Sequence, residues 1–210
     1  MSDIQRVQWT VQPKTAPRPW LTCNRCHTIK PFVSSGKFRL NANGKQLDGW
    51  LVYRCADCKN TWNRPIFERR SIKEIGPAAL HSLQSNDIEL ARSIAFDAQS
   101  LRRRSTRVEE FADVDVRKEI LIEGSEPWLA LEIVLSVPTP TSLRLDRLLS
   151  MELDASRGHI ARLASDKRLC IAPERGHELR RPITDGTKIT INLCGASDGL
   201  ALGLIASRSR

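Results

Sequence analysis

Two C-x-x-C pairs, Cys23-Asn24-Arg25-Cys26 and Cys55-Ala56-Asp57-Cys58, are the residues of this chain best spaced for chemistry. A two-residue loop between paired cysteines lets both sulfurs face one metal, and two such knuckles supply the four thiolates of a tetrahedral zinc site. The expectation is one structural zinc ion held by Cys23, Cys26, Cys55 and Cys58. Rival chemistries exist. Cys23 to His27 also spells C-x-x-C-H, the attachment pattern of c-type haem, but that use leaves the second pair without a role. Disulfides need an oxidising compartment, and a thioredoxin-like dithiol needs only one pair. His27 is a possible substitute ligand, although capping the knuckle or facing solvent suits it better.

Zinc held by four cysteines keeps no open position for water, which argues against catalysis at the metal. The chain has none of the phosphate-loop, nucleophile-elbow, zinc-protease or dinucleotide fingerprints. Its four histidines, His27, His81, His159 and His177, pair with no evident nucleophile, and Cys170 and Cys194 are isolated. We therefore expect no catalytic residues and no small-molecule substrate.

Lysine and arginine number 33 against 24 acids, a formal net charge of +9. The excess is uneven: residues 1–70 carry 13 basic and 4 acidic groups, and residues 71–137 carry 8 and 12. Basic ends around an acidic middle suit a polyanion such as nucleic acid. The longest apolar run, Trp128 to Val137, has ten residues and contains Glu132, too short to cross a bilayer. With an opening Met1-Ser2-Asp3-Ile4 that does not start a signal peptide, the expectation is a cytoplasmic protein without membrane partners.

Several elements must position the cysteines. Three prolines between Gln12 and Pro19 predict an extended arm. Asn43-Gly44 between two strand-like runs predicts a hairpin with those two residues as its loop. That register faces Leu40 with Leu47, Phe38 with Gly49 and Lys37 with Trp50. Phe38, Leu40 and Leu47 then share one side, and Lys37, Arg39 and Trp50 the other. Asn60 to Phe67 predicts a third strand, completing a zinc-ribbon layout in which the metal supplies much of the folding free energy. Pro77 opens a predicted helix to about Leu83, and Asn86 with Glu89 resembles a capping box for the next. Ile88, Ala91, Ile94, Ala95 and Ala98 form its apolar stripe. Val116 to Ile122 reads as a strand with Val116, Lys118, Ile120 and Ile122 on one side, and Trp128 to Val137 as a strand that is central or covered on both sides.

A second motif follows the break at Pro138-Thr139-Pro140-Thr141. It comprises Arg144-Leu145-Asp146, then Ser156-Arg157 opening a second helix, a strand at Arg168 to Ala172, and Pro182 to Gly186 before a last strand. This order resembles the S-four RNA-binding module, named after ribosomal small-subunit protein four. The resemblance covers residues 143 to about 193 and implies RNA-backbone contacts from Arg144, Arg147, Arg157, Arg162, Lys167 and Arg168. Departures are Asp166-Lys167 in place of a helix-ending Gly, Ala172 to Gly176 in place of a Val-Asn-Gly hairpin, and Thr187 after Gly186. Arg144 and Arg157 could instead simply pair with Asp146, Glu152 or Asp154. The chain also resembles a bacterial family known as domain of unknown function 1062. The resembling residues include Trp9-Thr10-Val11, both knuckles, Gly36 to Lys45, Trp50 to Cys55 and Thr61-Trp62-Asn63.

The reading is an α+β protein with a zinc ribbon-like domain (1–70), a helical and β middle segment (71–137), an S-four-like module (138–193) and a flexible tail (194–210), of which Leu200 to Ile205 could dock on a neighbour. Its expected function is RNA binding, to ribosomal RNA, tRNA or the ribosome. Lys37, Arg39, Trp50 and Arg54 would form a second basic surface near the metal, and Trp50 or Trp62 could stack on an unpaired base, although packing over the zinc site suits Trp62 better. The alternative is a protein-interaction scaffold with a structural zinc ribbon.

Overall fold

In the run Ile4 to Pro13, the alternate residues Val7, Trp9 and Val11 are fully buried. A period of two is what a strand with one covered face requires. In the computed structural model, which describes residues 3–174, 176–195 and 199–208, this run is β1 (Ile4–Pro13). The architecture is α+β. The chain divides into two units, one made of residues 1–14 with 112–210 and the other of residues 15–111.

Unit 1 is a five-stranded sheet in the order β7-β1-β8-β10-β9. Its strands besides β1 are β7 (Val114–Ile122), β8 (Ala130–Ser136), β9 (Leu169–Ala172) and β10 (Lys188–Asn192). β8 is central, as its apolar run predicts; it lies parallel to β1 and antiparallel to β10. Leu131, Ile133 and Leu135 of β8 share a core with Val7, Trp9, Ile189 and Ile191. Helices α4 (Leu145–Glu152), α5 (Arg157–Ser165) and α6 (Gly199–Ser207) pack into that core. On β8, Glu132 bonds Arg6 at 2.6 Å and Lys188 at 2.7 Å, one residue from each neighbouring strand. Burial pushes its carboxyl up, but these two cations outweigh it and hold the group below its ordinary value.

Unit 2 is a second five-stranded sheet, β5-β4-β3-β2-β6, with α1 to α3 on one face. Its strands are β2 (Arg18–Cys23), β3 (Thr28–Asn43), β4 (Gln46–Cys55), β5 (Thr61–Ser71) and β6 (Arg107–Glu109). Its helices are α1 (Pro77–Gln84), α2 (Ile88–Ala95) and α3 (Ala98–Arg102). Phe32, Leu51 and Tyr53 meet Ala91, Ala95 and Leu101 in a small core. Arg64 is almost fully buried and donates to the Tyr53 hydroxyl and to the Ile94 and Asp97 carbonyls. It thereby ties β5 to the junction between α2 and α3.

The structure corrects several expectations. The boundaries at 70/71 and 137/138 differ from the observed division. β1 joins a sheet whose other strands lie beyond residue 112, α1 to α3 cover the cysteine-bearing sheet, and β8 shares one core with α4 and α5. The hairpin turn is Gly44-Lys45, with Asn43 paired to Gln46, because Gly44 alone takes the positive φ of +61°. The register therefore slips by two residues, and an even slip leaves every side chain on its predicted face. Asn86 does not cap α2: at φ +55° it ends α1, and Asp87 accepts from Leu90 N at 2.7 Å as the cap. Ile88 is 79% exposed, so the apolar stripe of α2 reaches the core through Ala91 and Ala95. In β7 a bulge opposite Arg6 and Val7 turns Ile122 away from the face shared by Val116, Lys118 and Ile120.

Much of the predicted tail is ordered. In α6, Ala206 O accepts from Trp9 Nε1 at 2.9 Å, and Leu202 and Ala206 are buried. Gly203 lies against the Trp128 ring so closely that a Cβ has no room. Residues 196–198 and 209–210 of that tail lie outside the described residues.

Candidate metal centre and basic surfaces

Cys23 ends β2 and Cys55 ends β4. After each the chain makes the same turn: His27 N donates to Cys23 O at 2.8 Å, and Lys59 N donates to Cys55 O at 3.1 Å. His27 (φ +53°) and Lys59 (φ +64°) both take the left-handed conformation. Two like-shaped knuckles thus project from neighbouring ends of one sheet. Lys30 Nζ bonds Asp57 of the second knuckle at 2.6 Å.

The four sulfurs converge. Cys23 Sγ lies 3.4 Å from Cys58 Sγ, Cys26 Sγ lies 4.0 Å from Cys55 Sγ, and all four fall within 4.8 Å of one another. A disulfide would bring a pair to about 2.05 Å. Four thiolates about 2.3 Å from a tetrahedral metal stand roughly 3.8 Å apart, so the cluster has the dimensions of a metal cage. Burial pushes the Cys23 thiol up, but the backbone N–H groups of Cys26 and Arg25 and the Cys58 thiol bring it down to about 6. Cys26 is pushed up to about 12, first by its hydrogen bond with Cys58 and then by burial. Four sulfurs at this spacing resist losing all their protons together, and a divalent cation supplies the charge that lets them. Asn60 Nδ2 points at Cys23 Sγ from 3.9 Å, an outer-shell donor to a prospective ligand.

The structure sets Lys37, Arg39 and Trp50 on the sheet face opposite the helices. Arg39 stands directly across from Trp50, and Lys37 from Val52. Trp62 does not join them. It stands edge-on to Tyr53 at 5.3 Å, half-buried and packed on the core that contains Cys23 and Cys55.

In unit 1 the predicted cations are placed differently. Arg144 Nη2 and Arg157 Nη2 both donate to Asp146 Oδ2, at 2.7 and 2.6 Å. Arg147 and Arg162 are exposed on α4 and α5. Lys167 takes the left-handed position (φ +57°) that glycine would favour at the end of α5, and its N–H reaches Ala164 O. Arg168 donates to Asn192 O at 3.1 Å. Residues 145–192 run helix, helix, strand, strand, with β9 and β10 antiparallel, but β10 also pairs with β8, so this segment is part of a larger sheet.

Asp146 is nearly buried, which raises its carboxyl, but Arg157 and Arg144 more than offset this and hold it below the ordinary 3.8. A lowered folded value means that the stabilisation is complete above the unfolded value and fades as pH falls through the folded one. Asp146→Asn is expected to cost unit 1 about 1–3 kcal/mol at neutral pH, with the gap from wild type closing as pH drops below 3.8. Urea unfolding across that range checks it; a gap that ignores pH would assign the loss to packing instead.

Sequence reasoning missed Val33 and Trp20 as members of the open face of unit 2. Their signal is period-two alternation along β2 and β3, but the pairing of β2 with β6, residues 107–109, has no local signature.

These features define a two-unit α+β protein with a four-cysteine cluster able to hold a metal ion. The chain belongs to the family described as protein of unknown function, DUF1062, whose model matches residues 40–175. That span contains the second knuckle and the motif around Asp146, and leaves out the first knuckle, β10 and α6. Comparison with curated proteins and with solved structures finds no match.

Proposed function

We propose that this protein binds RNA, chiefly through unit 2, and that a single zinc ion held by Cys23, Cys26, Cys55 and Cys58 fixes the strands that carry the binding face. The observation behind this is the division of charge. Unit 2 has 17 basic and 9 acidic residues, a net of +8, whereas unit 1 has 16 and 15. Four thiolates on one divalent cation lower the first figure by about 2 and leave it strongly positive. Zinc suits four thiolates in a closed site, where it acts as a structural clamp. The expected partners remain ribosomal RNA, tRNA or the ribosome in the cytoplasm, and no catalysis is assigned. No helix among the described residues is long and apolar enough to cross a membrane.

Binding of total cellular RNA should weaken as salt rises, because each phosphate contact releases a counterion. Replacing Lys37, Arg39 and Arg54 together by Gln is expected to flatten the slope of log K against log salt by about 2, at roughly 0.7 per single-strand contact. An unchanged slope would move the interface elsewhere, and no binding at low salt would sink the reading.

One observation favours the scaffold reading for residues 138–193. Arg144 and Arg157 are engaged by Asp146, and unit 1 is close to neutral. A protein partner retained from lysate after nuclease treatment, and lost in Arg157→Glu, would support docking there.

A further inference from the structure

The open face of unit 2 carries apolar groups as well as charge. Directly opposed residues in a sheet share a face. On β3 and β4, three successive pairs on this face each join a cation to an apolar side chain: Arg54 with Val33, Lys37 with Val52, and Arg39 with Trp50. The bulge between Ser34 and Lys37 inserts two extra residues in β3, an even number, so the alternation stays in step. Gly36, at φ +67°, makes that bulge possible. At the far edge the theme recurs, with the Arg107 guanidinium over the Trp20 ring at 5.1 Å.

These groups are available. Lys37, Arg39 and Arg54 are exposed, and among the described residues none is ion-paired. Val33 is 39% exposed and Ile29, on the same face, 47%. β5 adds Thr61 beside Arg54 and Asn63 beside Val52 as hydrogen-bonding side chains. Acids on this face include Asp48, which accepts from Arg69 N at 2.6 Å, and Glu109, paired across from Arg18.

The combination separates two forms of nucleic acid. A duplex hides its base faces in the stack and offers a flat protein surface mainly phosphates, so exposed Val33 and Ile29 and half-buried Trp50 would gain nothing from it. An unpaired strand offers both, with bases that lie on aromatic and apolar side chains and phosphates that meet cations. Same-face residues recur about every 6.7 Å along a strand, so Arg54 to Trp50 makes a continuous track roughly 13 Å long.

We propose that this face binds unpaired RNA in preference to duplex, with a base stacked on Trp50 and phosphates held by Arg54, Lys37 and Arg39. The proposal rests on the RNA-binding reading and names its substrate class. The test uses the metal-loaded full chain and a fluorescein-labelled single-stranded RNA, the same strand annealed to its complement, and single-stranded DNA of the same sequence. Single-stranded RNA is expected to bind about tenfold tighter than duplex. Trp50→Ala should weaken the single strand by roughly 5- to 100-fold, leave duplex binding unchanged, and be rescued by Trp50→Phe. Metal content and circular dichroism confirm that each variant is folded. Equal binding of single strand and duplex, with no effect of Trp50→Ala, would overturn the inference and leave RNA binding standing. Tighter binding of DNA than of RNA would overturn the assignment to RNA. No binding of any oligonucleotide would remove both this inference and the reading beneath it.

Discussion

Cys55→Ser is expected to abolish stoichiometric metal binding and to unfold most of unit 2. The core of that unit is small, and Cys23 and Cys55 are themselves among its buried members. One knuckle connects β2 to β3 and the other β4 to β5, so a shared metal ties together four of its five strands. Structural zinc contributes about 10–16 kcal/mol in small domains, as much as an ordinary domain's whole stability of about 5–15. A serine leaves three sulfur ligands and a buried hydroxyl, and the cage no longer balances its ion. Elemental analysis should find one zinc per wild-type chain and none per variant. Hydrogen exchange should lose protection across residues 28–71 while β1, β8 and β10 keep theirs. Removal of the metal by a chelator should reproduce the variant. Full protection through β3 and β4 without metal would show that the sheet stands by itself.

Lys118→Met is expected to destabilise unit 1 by about 3–5 kcal/mol, because it breaks a buried ion pair from one side. The Lys118 ammonium is almost wholly enclosed and sits 3.0 Å from Glu152 Oε2. It also donates to Glu152 O at 3.2 Å and to Ile205 O at 3.1 Å, and lies over the Trp9 ring at 5.0 Å. One cation thus ties β7 to the last turn of α4 and to α6. Removing it strands a carboxylate and two carbonyls away from water. The double variant Lys118→Met/Glu152→Gln should lose less than the single one, since no unpaired charge remains. Urea midpoints measure the cost, and exchange protection at residues 199–207 should fall in the single variant. A loss under about 1 kcal/mol would mean that α6 is held by Trp9, Gly203 and Trp128 without the cation.

The four-cysteine cluster was legible because its geometry is local. Two residues between cysteines settle how each pair faces, and only the meeting of the knuckles needed the fold. The hairpin between β3 and β4 was legible for the same reason, and its two-residue slip did no harm because side chains alternate with period two. Asn86 was misread because an Asn suits both the end of one helix and the start of the next, and the choice fell to Phe38 N, which donates to its Oδ1 at 2.7 Å. The tail was misread because small residues without polar alternation look unstructured until a partner face exists. Here that face is made by Trp9 and Trp128, 119 positions apart in sequence.

The sequence by itself determined the four thiols, the strands that end in them, the sidedness of Lys37, Arg39 and Trp50, and the central place of residues 130–136. Each depends on spacing within about ten residues, where backbone geometry leaves few choices. Only the tertiary structure decided that β1 crosses to a sheet formed after residue 112. It alone gathered nearly all the net charge into one unit, and set Arg144 and Arg157 on a single carboxylate. These depend on which distant apolar faces bury each other. That is a property of the whole chain's packing, to which no short stretch of sequence is sensitive.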